Sequence, residues 1–274
     1  MNFMRHYLAA VHSFTRVPVT GALAQWIGAA GPDDARASAA HFPGVGWLVG
    51  IVACAAFALV GLLLPGSPFA PLAAAVGCTV ATLILTGGAH ENGLARVADA
   101  LGGPANVARA LEIMADSRIG AFGVLALVLT LLAKVSLLAV LAAQSPVAVL
   151  VALLAGHVVS RFWPLLLARG LPGLPGLAYL GDAAPAGKPL AERVTNRSLG
   201  IAGAWSAVAL ALAWVAQGPG FAILPVMAGG LALLWMRRML ARRLQGFTHD
   251  SLGATQQLGE IAFYFGAAIG VQVT

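Results

Sequence analysis

Long apolar runs separated by short polar breaks set the plan of this chain. The runs at 45–64, 69–85, 119–143, 147–167, 199–216 and 221–236 approach or exceed the roughly 20 mostly apolar residues of a membrane-spanning helix. A shorter run at 261–273 is open to three readings: it spans, re-enters or packs at the surface. Pro65, Pro68, Pro146 and the cluster Gly218-Pro219-Gly220 mark tight turns between runs. The pattern predicts an all-α, polytopic integral membrane bundle of about six to seven transmembrane helices, with active-site loops in the cytoplasm.

The charges sharpen that picture. Arg5, Arg16 and Arg36 precede the first run, and Arg96, Arg109 and Arg118 separate the second from the third. Arg169, Lys188, Arg193 and Arg197 fall between the fourth and fifth, and Arg237, Arg238, Arg242 and Arg243 follow the sixth. The alternate turns, at 65–68, 143–146 and 217–220, carry no charge. This is a positive-inside pattern. It predicts a cytoplasmic N-terminus, cytoplasmic long segments and short turns on the other face, in a bacterial inner membrane. A transporter would more often place its ionisable groups near mid-membrane, whereas here nearly all the acids share the basic side.

Two charges fall within runs, where burying them is costly and a role is expected. Lys134 lies several turns into its run and requires a paired acid or a wet cavity. Arg161, in the segment HVVSRFWP, either snorkels to the interface or clamps a phosphate with its forked guanidinium. His157 on the same run reads as a bundle-interior histidine.

Composition agrees with the pattern. Of 274 residues, 59% are hydrophobic and only 9% charged, against about 25% charged in soluble domains. The length suits one membrane domain over 1–274. Within it lie an N-terminal cytoplasmic segment (1–41), an acidic motif segment (86–118) and a second motif segment (237–260). The opening reads as an amphipathic helix on the membrane rather than a removed signal peptide. Cys54 and Cys78 both lie in apolar runs, as small core residues do. The net charge of +6 comes without the aromatic–basic interleaving that stacks bases, so no nucleic-acid partner is expected. The partner that composition does imply is the lipid bilayer.

Candidate chemistry gathers on the basic side. Glu91, Asp99, Glu112 and Asp116 are four of the ten acids, all within 86–120. HENGLARVADAL reads as a helix start on which Asn92, Arg96 and Asp99 share one face. Glu91 with Asp99 suits a hard divalent cation, Asp116 is a second candidate ligand, and Arg118 a candidate phosphate contact. A later segment supplies Thr248, His249, Asp250 and Glu260. Acids that hold a metal, with arginines nearby, suit phosphoryl transfer. A solvated helix carrying ion pairs fits the same spacing.

The ordered motifs go further. Phe14-Thr15-Arg16-Val17-Pro18, Phe42-Pro43-Gly44-Val45-Gly46, LEIMADSRIGAFGVLALVL from Leu111, the pair Ser160–Arg161, and the stretch from Gly246 to Glu260 containing Thr248, Asp250, Leu252, Gly253 and Ala254 occur in turn. With these the chain resembles, nearly end to end, the cobalamin synthase family (adenosylcobinamide-GDP ribazoletransferase, cobalamin-5′-phosphate synthase). The resemblance implies transfer of the cobinamide phosphate group of adenosylcobinamide-GDP to alpha-ribazole or its 5′-phosphate, with release of GMP and with magnesium as cofactor. It implies Asp116, Asp250 and Arg118 as catalytic residues. Fitted to that reaction, His90, Arg96, Ser160, Arg161 and Thr248 are the candidate substrate contacts, and Glu91, Asn92, Asp99 and Asp116 the candidate metal ligands. His249 stands where the family usually has Gly and is given no role. Homo-oligomerisation and association with other cobalamin-assembly enzymes stay open.

The chain departs from the family at its central motif, roughly H-x-DGLAD-x-x-D. Here the stretch from His90 to Asp99 carries Asn92 and Arg96 where the family has aspartates. Asn offers a neutral carbonyl oxygen, while Arg repels a cation. Two alternatives follow. One is a catalytically impaired paralogue that binds a corrinoid or a partner protein. The other is a CDP-alcohol-type phosphotransferase, whose motif NGLAR echoes in part.

Overall fold

The computed structural model describes residues 2–18, 20–21, 25–26, 37–103, 106–174 and 194–273. Among them the regular structure is helical, with one isolated backbone bridge between Gly173 and Phe247. In chain order the helices are α1 (Asn2–Phe14), α2 (Phe42–Leu63), α3 (Ala70–Thr86), α4 (Ala89–Gly102), α5 (Val107–Ala115) and α6 (Ala121–Gln144). They continue with α7 (Pro146–Val159), α8 (Trp163–Gly170), α9 (Asn196–Gln217), α10 (Pro219–Arg243) and α11 (His249–Val273). Arg36, Lys188 and Arg193 of the basic pattern lie outside the described residues.

Local chemistry sets the helix ends. Proline at the first or second position opens α2, α3, α7, α8 and α10, where its missing N–H costs nothing. Asn106, Ser145 and Thr195 cap α5, α7 and α9 through side-chain oxygens.

Among the described residues, five segments are long and apolar enough to cross a membrane: α2, α6, α7 with α8 as one span (Pro146–Gly170), α9 and α10. A sixth arises if α3 and α4, bent by 91° at their junction, form one span. Their outer faces carry large apolar side chains such as Leu62, Phe69, Ile84, Leu129, Val215 and Leu231, all more than half exposed. A lipid-facing belt accounts for them. The run at 261–273 proves to be the second half of α11, which lies antiparallel on α10, with Gly266 against Pro225 and Gly270 against Gly220.

The core contains small residues as well as large ones, which lets helices approach closely. A side chain on Gly46 of α2 would strike the His157 carbonyl of α7. At the α4–α11 contact, a Cβ on Gly93 would sit 2.7 Å from the Asp250 carbonyl, and one on Gly253 would sit 3.1 Å from the His90 Cα. These two glycines bring the motif helix α4 against the motif start of α11.

Candidate active site

The site is built at the arginine-bearing end of the bundle, where α4, the α5–α6 turn, the α7–α8 break and the start of α11 meet. The α3–α4 bend is made by Gly87 and Gly88, both left-handed (φ 72° and 66°). That conformation favours glycine. It turns the chain so that α4 lies across the ends of other helices and offers its motif residues to α11.

Arg96 reaches furthest. Its Nη1 donates to the Met114 carbonyl at 3.3 Å and lies 3.9 Å from the Asp250 carboxylate. One cation thereby joins α4, the end of α5 and α11. Asn92, one turn before Arg96, is exposed. Thr248 takes the N-cap position of α11: Ser251 N–H donates to its Oγ1 at 3.3 Å, and its own N–H donates to Ser251 Oγ at 3.2 Å.

Asp99 has a different surrounding. Its carboxylate accepts from the Gly120 and Gly123 amides, both at 2.7 Å. It therefore caps the N-terminus of α6 from outside that helix. Asp116 and Arg118 sit on the exposed α5–α6 turn and hold each other. Arg118 Nη2 donates to Asp116 Oδ2 at 2.7 Å, and the Arg118 backbone N–H donates to Oδ1 at 2.9 Å. This fork lowers the Asp116 carboxyl to about 2.

Ser160 and Arg161 lie at the α7–α8 break and are enclosed. Arg161 is 1% exposed, donates to the His157 carbonyl at 2.6 Å and stands 5.6 Å from the Phe42 ring centroid. His90 packs edge-on to the same Phe42 ring. Glu91 accepts from Gln257 Nε2 at 2.9 Å. His90 Nε2, Glu91 Oε2 and Arg161 Nε are buried and have no hydrogen-bond partner among the described residues.

The structure thus brings His90, Glu91, Arg96, Asp250, Ser160 and Arg161 to one region. It sets Asp116 with Arg118 on a neighbouring turn, and it engages Asp99 with α6. Among the described residues no group of three or more His, Cys, Asp or Glu side chains is placed to hold a metal ion. Of the acids that the sequence offers as ligands, Glu91 keeps one buried, unpartnered oxygen, whereas Asp99 is held by the α6 amides and Asp116 by Arg118; Asn92, next to Glu91 in sequence, is exposed.

Sequence reasoning placed Lys134 inside the membrane without its partner. In the structure Lys134 Nζ lies 2.7 Å from Glu260 Oε1. Tyr264 OH donates to the same oxygen at 3.0 Å, and Gln256 Nε2 donates to Oε2 at 2.7 Å. His157 Nδ1 lies 3.4 Å from that second oxygen, without the geometry of a hydrogen bond. The signal lay in the spacing: Gln256, Glu260 and Tyr264 recur every four residues, so they share one helix face.

The family described as cobalamin-5-phosphate synthase matches residues 6–268. A protein of Polaromonas sp. (strain JS666 / ATCC BAA-500), named adenosylcobinamide-GDP ribazoletransferase, is 51% identical, with 98% of each chain covered. Its counterpart in Polaromonas naphthalenivorans (strain CJ2) is also 51% identical, over 99% of this chain and 100% of the relative. That of Leptothrix cholodnii is 42% identical over 97% and 96%. No solved structure matches.

Proposed function

The chain belongs to the cobalamin-5-phosphate synthase family, and from that premise we propose that it is an adenosylcobinamide-GDP ribazoletransferase. A hydroxyl of the alpha-ribazole (or alpha-ribazole 5′-phosphate) ribose attacks the phosphoryl group on the cobinamide side of the pyrophosphate. The bond to GMP breaks, the hydroxyl proton passes to a base, and adenosylcobalamin or its 5′-phosphate forms. The observation that carries this reading is the match along nearly the whole chain to relatives of that name. No comparison supports a non-catalytic paralogue or a CDP-alcohol-type enzyme.

The residues divide the work as follows. Asp250 accepts the hydroxyl proton. Arg96, already beside Asp250, turns its guanidinium to the nonbridging phosphate oxygens as a charge-assisted fork. Arg118, the most exposed member of the set, leaves Asp116 for the pyrophosphate, and Asp116 recovers it afterwards. His90 and Arg161, both packed on Phe42, support the site. Magnesium, with the unpartnered oxygen of Glu91 as its protein ligand, would neutralise pyrophosphate charge and help GMP to leave.

The positive-inside pattern supports an orientation in which α4, the α5–α6 turn and the start of α11 face the cytoplasm of a bacterial inner membrane. Expression of the chain in a bacterium lacking this activity tests the function. Restored cobalamin-dependent growth on supplied cobinamide is expected. Failure of a well-expressed, membrane-inserted chain to restore growth would contradict it.

A further inference from the structure

The intramembrane cluster around Glu260 has no part in the chemistry above, yet it is wired to the motif helix. From the Glu260 carboxylate, Gln256 Nε2 leads on: it donates to Glu260 Oε2 and lies 3.0 Å from Ser160 Oγ at the α7–α8 break. Gln256 Oε1 accepts from Gln257 Nε2 at 3.0 Å, and that same amide group donates to Glu91 Oε1 at 2.9 Å. An unbroken chain of polar contacts therefore joins Lys134, in the middle of α6, to the first turn of α4. The Lys134 and Glu260 side chains are only 3% and 2% exposed.

A buried ion pair contributes little net stability, and well-packed apolar residues in its place are often as stable or more so. Stability alone therefore does not account for it. The bend that precedes α4 needs support from outside. Two left-handed glycines form it, and no side chain caps the start of α4, so the joint has little stiffness of its own. Contacts elsewhere must fix the angle at which α4 presents its first turn.

We infer that Glu260 is a positioning residue: paired with Lys134, it holds Glu91 and the start of α4 in place through Gln256 and Gln257. The inference rests on the proposed function for its catalytic readout but not for its structural one. The test uses the full chain in nanodiscs. Lys134→Met/Glu260→Gln removes both charges together, so that no lone ion is left buried. Gln257→Met cuts only the last link and leaves the ion pair intact, which keeps the test valid if the double variant does not fold.

Hydrogen exchange of 89–102 is expected to quicken by about tenfold or more in the variants, at little changed melting temperature, because the opening is local. With adenosylcobinamide-GDP and alpha-ribazole 5′-phosphate, kcat is expected to fall at least about tenfold with KM little changed, as for a loss felt in the transition state. Unchanged exchange at 89–102, or unchanged kcat in an active protein, would overturn the inference. Inactivity of the unaltered chain with the exchange effect present would count against the reaction and leave the positioning role standing.

Discussion

Asp250 and Arg96 face each other across the α4–α11 seam, 3.9 Å apart, and this contact changes how the departures from the family motif are understood. Arg96 is a cation beside a carboxylate, a contact a metal ion could otherwise make. Asp250→Ala is expected to lower turnover at least about a hundredfold, and Asp116→Ala, which releases Arg118 from its resting partner, to lower it less, with expression intact, as measured by GMP release. Full activity in either variant removes that residue from the mechanism. A separate residue-scale prediction concerns His41, which precedes the first span. Trp205 Nε1 donates to its Nδ1 at 3.3 Å, and burial, with His6 nearby, lowers its pKa to about 4. Its unfolded value is about 6.5. The folded protein therefore takes up this proton later than the unfolded chain, and stability falls as pH drops from about 6.5 toward 4. Melting in detergent at pH 7 and pH 5 is expected to show a smaller acid loss in His41→Gln than in the unaltered chain. An equal loss in both would contradict it.

At the scale of elements, Asp99 shows how a motif acid can serve the fold. Its carboxylate receives two amides at the start of α6, so Asp99→Ala is expected to cost about 1–2 kcal/mol, as loss of a helix cap does. Denaturant titration in detergent measures this, and no change would deny the cap. The sequence made α4 legible as a helix and Asn92, Arg96 and Asp99 as one face of it, because spacing and periodicity are local. It did not reveal that Asp99 turns to α6, since that contact closes over 21 residues of chain. The 91° bend was hidden for a related reason: Gly87-Gly88 permits many angles, and packing against α11 chooses one. Arg161 was open to snorkelling or phosphate binding. Enclosure beneath Phe42 excludes snorkelling in this conformation, so a phosphate contact would require the α7–α8 break to open.

For the whole molecule, the apolar runs disclosed the membrane bundle directly, and the uncharged turns disclosed which ends go together. The last run was the ambiguous one. Half of α11 is polar, and that half is buried by α4 and the α7–α8 break rather than by lipid, so hydropathy alone understated the helix. Lys134 was legible as a charge needing a partner, but only the fold brings it to Glu260, 126 residues away in sequence. The orientation carries its own test. Pro68→Cys, on the α2–α3 turn, is expected to react with an impermeant thiol reagent added outside the inner membrane. Asn106→Cys, at the start of α5, is expected to react only after permeabilisation. The reverse result would invert the topology and place the motif helices on the wrong side for the proposed chemistry.

The central claim is that this chain, with Asn92 and Arg96 in its motif, carries out the transfer itself. Purified protein in nanodiscs with magnesium, given adenosylcobinamide-GDP and alpha-ribazole 5′-phosphate, tests it most directly by counting GMP against corrinoid product. The account predicts equal amounts of GMP and adenosylcobalamin 5′-phosphate from the unaltered chain. No product from that chain, with turnover gained in Asn92→Asp/Arg96→Asp, would contradict it.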